Sequence, residues 1–158
     1  MKMFDPTEVY ARYKAYIAIR YAELRQETAR IIEREQLVSV MNDTKWLQLQ
    51  TSVLSIPDFR PAYRAEYLLD ETRHSPVFET TPAYEGCWNL LYEDDEFGFP
   101  PFFSIRWISI HPRLAIHRGR LVEPEIIDRC DLMTDILRQN RIPYTTIDEY
   151  TFLIEGFR

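Results

Sequence analysis

Glycine is scarce in this chain, with four in 158 residues. Such scarcity leaves no Gly/Ser-rich linker to divide the chain and little room for loops that cradle phosphates. No P-loop, dinucleotide-binding glycine pattern, nucleophile elbow or zinc-protease helix occurs, which counts against nucleotide-dependent enzymes. Cysteine is equally sparse. Cys87 and Cys130, in a chain with no sign of secretion, read as small reduced core residues rather than a bridge. No apolar run approaches the roughly 18–20 residues that span a bilayer, and Met1 to Pro6 does not lead into a signal-peptide apolar stretch. A cytoplasmic location without membrane association is expected. Lysine is nearly missing too, with three against sixteen arginines. Guanidinium forks suit carboxylates, phosphates and aromatic faces, although genome composition alone can produce the same bias.

What is present suits a compact, acidic protein. The chain is 46% hydrophobic and 14% aromatic, enough for one core and a single domain over 1–158, with 1–36 as a helical extension packed on 37–158. A formal net charge of −6 opposes nonspecific nucleic-acid binding, which needs excess cations, and favours basic protein partners.

The pattern of elements predicts an α+β fold. Asp5-Pro6-Thr7-Glu8 supplies a cap and first turn for a long helix that meets no Pro or Gly until about Glu35. Tyr10, Tyr13, Ile17, Tyr21, Leu24, Thr28 and Ile31 form its apolar stripe, read as a core face, with dimerisation through the tyrosines as the alternative. Asn42-Asp43-Thr44 caps a second, short helix carrying Trp46, Leu47, Leu49, Val53 and Leu54. Pro61 to Leu69 alternates as a strand, with Ala62, Arg64 and Glu66 opposite Tyr63, Ala65 and Tyr67. Cys87 to Tyr92 and Phe102 to Ile110 read as two further strands of an antiparallel sheet of about three to five strands. Glu123-Pro124-Glu125 reads as the start of a third helix with Ile126, Ile127, Cys130, Met133, Ile136 and Leu137 on its apolar face. Tyr144 to Ile147 and Tyr150 to Ile154 suggest a terminal hairpin.

Between the two central strands, Glu93, Asp94, Asp95 and Glu96 stand beside Phe97, Phe99 and two prolines. Four adjacent carboxylates repel one another and must face water or a cation, while the rings beside them favour a surface to cover. This segment is the candidate partner-binding site; a solvated loop whose rings fold back on the core is the bland alternative.

Catalytic signals are weak. His74 lies in an irregular loop, and His111 and His117 are six apart across Pro112, a spacing that suits no single metal on a strand or helix. Neither a cofactor, a metal nor a catalytic residue is expected; a Cys87–His111 pair stays open, since catalytic partners need not be near in sequence, with a buried structural cysteine the preferred reading. His111, Arg113, His117, Arg118 and Arg120 form the one basic concentration, an alternative patch for a phosphate or acidic ligand. The internal alternative is that these arginines clamp carboxylates such as Glu123, Glu125 or the 93–96 cluster, and this structural role is preferred.

Leu37-Val38-Ser39-Val40-Met41-Asn42-Asp43-Thr44-Lys45-Trp46, Ile105-Arg106-Trp107-Ile108, His117-Arg118-Gly119-Arg120-Leu121-Val122 and Arg141-Ile142-Pro143-Tyr144 resemble motifs of a family of small uncharacterised bacterial proteins. Members look like the immunity proteins that accompany polymorphic toxins. The resemblance runs from about Leu37 to the C-terminus and brings no enzymatic residues. It implies binding and inhibition of a cognate, basic toxin by covering its active site, with Glu93 to Glu96 supplying electrostatics and Phe97, Phe99 and Trp88 as anchoring rings. A small enzyme or phosphate-ligand protein using the 111–120 patch is the other reading. The expected assembly is a monomer or homodimer, with no nucleic acid or membrane partner.

Overall fold

A computed structural model of the chain describes residues 22–82, 88 and 102–158, together with residues 8, 11 and 15. The start of the expected first helix at Asp5, most of its tyrosine stripe, the expected strand from Cys87 to Tyr92 apart from Trp88, and the acidic loop lie outside these residues.

The first described helix, α1 (Ala22–Glu35), has Glu23 in its first turn and Arg34 in its last, each charge complementing the helix dipole. Thr28 is its one fully buried residue, flanked along the same face by half-buried Leu24, Ile31 and Ile32. The helix ends where Leu37 N–H donates to Ile32 O at 2.9 Å and Gln36 N–H to Glu33 O at 3.2 Å, with Gln36 at φ 56°. This is a left-handed cap of the type that glycine usually closes.

Asn42 caps α2 (Asp43–Leu54), its side-chain oxygen accepting the Lys45 amide. Trp46, Leu47, Leu49, Val53 and Leu54 are buried, so this short helix enters the core along most of its length. After it, Phe59 N–H donates to Ile56 O across Pro57 and Asp58, and Asp58 takes φ 59°. Proline second and a positive φ third is the order such a turn requires.

The main sheet comprises β1 (Ala62–Tyr67), β2 (Ile105–His111, entered through a 3₁₀ turn at Phe102–Ser104), β5 (Thr145–Asp148) and β6 (Thr151–Glu155). Its order is β1-β2-β6-β5, antiparallel throughout. Ile108 and Ile110 of β2 stand beside Ile154 and Phe152 of β6 on one face. They join Trp46, Leu49 and Val53 of α2 and Met133, Ile136 and Leu137 of helix α3 (Cys130–Gln139) in one buried cluster. Each such aliphatic side chain contributes about 1.5–3 kcal/mol by leaving water.

The opposite face is polar yet also buried. Ser109, His111 and Thr151 alternate with the core residues along β2 and β6 and are closed off from water. Segment 74–82 crosses this face: the His74 amide donates to Glu66, Arg64 to Val77 O at 3.0 Å, Phe78 lies 5.1 Å from the His111 ring, and Ala115 N–H donates to Pro82 O.

One sequence expectation is corrected here. Glu123-Pro124-Glu125 does not open a helix. Residues 125–128 instead form β4 (Glu125–Asp128), paired antiparallel with β3 (Arg113–Ile116), with Ile126 opposite Ala115 and Ile127 opposite Leu114. The third helix begins only at Cys130, with Arg129 at the N-cap position, and Asp128 Oδ1, at the end of β4, accepts the Cys130 amide at 2.9 Å. Glu66 stands on the same face of β1 as Arg64, as alternation predicts, and is 3% exposed because segment 74–82 and two arginines cover it. A bulge follows it: Glu66 pairs with Trp107 but Tyr67 pairs with Ile105, leaving Arg106 as an extra residue. Such an insertion re-aims side chains, and Arg106 Nε comes within 3.3 Å of Glu66 Oε2.

Candidate functional site

The acidic candidates Glu93, Asp94, Asp95 and Glu96 and the rings Phe97 and Phe99 lie outside the described residues. Trp88, the third expected anchor, is fully buried and meets Tyr63 edge-on at 5.2 Å, so it serves the core and presents no ring to a partner.

The basic segment is built by the β3–β4 ribbon. Arg113 on β3 reaches Asp128 on β4, Nε to Oδ2 3.4 Å, off the hydrogen-bonding axis, and its guanidinium lies 3.8 Å over the Tyr150 ring. Arg118 pairs with Glu125. His117 and Arg120 are exposed in the connection between the two strands. His111 is sealed between sheet and segment 74–82, with Nδ1 2.9 Å from Thr151 Oγ1 and Nε2 without a partner among the described residues. Burial holds its imidazole below the ordinary range, with Arg113 adding to this and Asp148 and Asp128 opposing it.

Two further groups respond to this ribbon. The Cys130 amide holds the Asp128 carboxyl low, while burial pushes the Cys130 thiol up to about 12, with the Asp128 charge acting in the same direction. A thiol so protonated is a poor nucleophile. Among the described residues no three His, Cys, Asp or Glu side chains gather as a metal site.

Sequence reasoning missed two arrangements. The first is a charge cluster joining α1 to the sheet. Glu66 receives the His74 amide at 2.6 Å and lies near Arg73 and Arg106; Glu35 lies 3.1 Å from Arg106 and 3.3 Å from Arg73. The Arg106 hydrogen bond is the main cause holding the Glu35 carboxyl below its usual range. With two carboxylates facing two guanidinium groups, the cluster is neutral by count and anchors the end of α1.

The second is a cavity of about 260 Å³ between the turn after α2 and the ribbon. Phe59, Pro61, Pro112, Leu114, Ile116 and Ile127 line it with apolar atoms, and Asp58 and Arg129 are its charged members. None of the five basic-patch residues lines it. Its walls come from three stretches far apart in sequence, and only Asp58-Phe59 beside Pro57 and Pro61 hinted at a fixed turn there.

In the connection between β3 and β4, Leu121 is 100% exposed and Val122 58%, and Ile126 on β4 itself is 40% exposed. Apolar side chains gathered in one short connection and left in water are uncommon unless something covers them. Among the described residues no helix is long and apolar enough to cross a membrane.

No curated protein and no solved structure matches this chain. One family profile does, over residues 28–158, beginning inside α1 and covering every described element after it. The chain belongs to that family, the family of unknown function DUF6678.

Proposed function

We propose that this protein is a binding module that neutralises a cognate protein toxin by covering its active site. The observation that carries the protein-binding part is the ribbon, where Leu121 and Val122 of the connection and Ile126 of β4 stand in water while Arg113 and Arg118 are already paired with Asp128 and Glu125. An exposed apolar tip on a two-stranded ribbon supplies anchor side chains for a partner's groove. Paired arginines leave fewer free cations there to demand an anionic ligand.

The finer reading, a bacterial immunity protein acting in the cytoplasm, rests on the motif resemblance through Leu37 to Trp46, Ile105 to Ile108, His117 to Val122 and Arg141 to Tyr144. The net charge of −6 and the Glu93 to Glu96 run support a basic toxin, which such a surface attracts by steering.

Co-expression with the neighbouring reading frame tests the proposal. The expected result is a frame toxic alone, rescued by this chain in a stable complex, with Leu121→Asp/Val122→Asp losing both rescue and binding while remaining folded. A harmless neighbour that forms no complex overturns the immunity reading. A complex unaffected by the double substitution removes the ribbon from the interface.

A further inference from the structure

The cavity lies between the turn after α2 and the β3–β4 ribbon, near the start of α3. It is lined by Phe59, Pro61 and Pro112 together with Leu114, Ile116 and Ile127 of the ribbon. Its volume of about 260 Å³ lies just under the range of about 300–1,000 Å³ that holds drug-sized ligands, so it suits a small metabolite.

Its charged members have opposite signs. Arg129 is held by its backbone, which donates to Pro112 O at 2.9 Å and accepts the Met133 amide at 3.0 Å, and its guanidinium stacks 5.9 Å from the centre of the Phe59 ring. Asp58 is fixed by the Ile56–Phe59 turn in a left-handed backbone. Among the described residues neither side chain has an ion-pair partner, and the two do not pair with each other. Both residues are exposed, so their charges stay hydrated while the apolar lining is covered. An apolar chamber with one unpaired anion and one unpaired cation is complementary to a molecule with an apolar body and both charges on one end.

We propose that this cavity binds a free α-amino acid with an apolar side chain, the side chain entering among Phe59, Leu114, Ile116 and Ile127, the carboxylate meeting Arg129 and the ammonium meeting Asp58. The carboxylate fits the planar fork of arginine, and burial of the side chain supplies most of the affinity. The proposal goes beyond the toxin-binding reading and does not depend on it.

The test is titration of the full chain with leucine, leucinamide and 4-methylpentanoate, followed by amide chemical shifts in the nuclear magnetic resonance spectrum. Leucine is expected to give saturable shifts at residues 58–61, 112–116 and 127–129, and each analogue lacking one charge to bind about tenfold more weakly, the equivalent of roughly 1.4 kcal/mol. Asp58→Asn, which keeps a residue tolerant of positive φ, should weaken leucine and leave 4-methylpentanoate unchanged. Arg129→Gln should weaken leucine and leave leucinamide unchanged. Absence of saturable shifts up to the solubility limit of leucine overturns the proposal. So does equal binding of all three compounds, which would make the cavity a purely apolar slot. Shifts of these residues only on addition of a protein partner also overturn it, and would assign the cavity to that partner's side chain.

Discussion

Lys45 in the first turn of α2 reaches across to Asn140 at the end of α3, its Nζ donating to the Asn140 carbonyl at 2.7 Å and also to the Arg141 carbonyl at 2.9 Å. The last carbonyls of a helix lack intrahelical donors and carry partial negative charge. A single ammonium therefore caps α3 and ties the two core helices together. Lys45→Met should lower unfolding free energy by about 1 kcal/mol in urea titrations, since the contact is partly solvated. A loss that vanishes would mean water replaces the ammonium at no cost.

The charge cluster at the end of α1 is divided by burial. Glu66 is 3% exposed and receives a backbone amide as well as two guanidinium groups, so Glu66→Ala strands Arg106, itself 17% exposed, and should cost about 2–4 kcal/mol. Glu35 is far more solvated, and Glu35→Ala should cost about 1 kcal/mol or less. Equal losses at the two positions would contradict this division.

Burial of His111 predicts a pH dependence. Its imidazole sits below its ordinary 6.5 in the folded protein, so between the folded value and 6.5 the unfolded chain binds more protons. Stability then rises with pH across that window and is lost as pH falls from 6.5 toward the folded value. His111→Gln should flatten the fall in Tm over this interval, whatever it does to Tm at neutral pH. An unchanged slope would show that other groups govern it.

Two helix ends place ordinary residues where glycine is favoured. Arg141 takes φ 53° after α3, where Ile142 N–H donates to Leu137 O and Arg141 N–H to Arg138 O, repeating the arrangement at Gln36. Gln36→Gly and Arg141→Gly should each raise unfolding free energy by about 0.5–1 kcal/mol, measured in urea. At Gly156 the reverse holds. A methyl group there would overlap the Ile105 carbonyl oxygen and press on Trp46, so Gly156→Ala should cost about 2–4 kcal/mol.

Much of the fold was legible because its signals are local. Asn42 before an amphipathic run, the alternation of β1, and Pro143 ahead of the terminal hairpin each act over a few residues and each stands where expected. The 123–128 segment misled for the same reason. Proline and carboxylates mimic a helix start, whereas the strand that forms is chosen by Arg113 to Ile116, roughly ten residues upstream, and the helix starts only at Cys130, whose amide Asp128 accepts. Glu66 was hidden because its partners come from positions 73, 74 and 106, the last delivered by a bulge that no periodicity announces. The cavity escaped for want of a local pattern: its walls meet only after the ribbon folds over the Ile56–Phe59 turn.

The strand order β1-β2-β6-β5 also sets a timetable during synthesis. When His111 leaves the ribosome, β2 can pair with β1 on one side only, because its other neighbour ends at Glu155. At about 5–20 residues per second, the intervening chain takes roughly 2–9 s to emerge. For that interval the most buried strand of the sheet has a free hydrogen-bonding edge, the form most open to pairing with another nascent chain. Slowing translation across residues 112–150 should therefore raise the fraction of aggregated product, with no change in the stability of the molecules that finish folding.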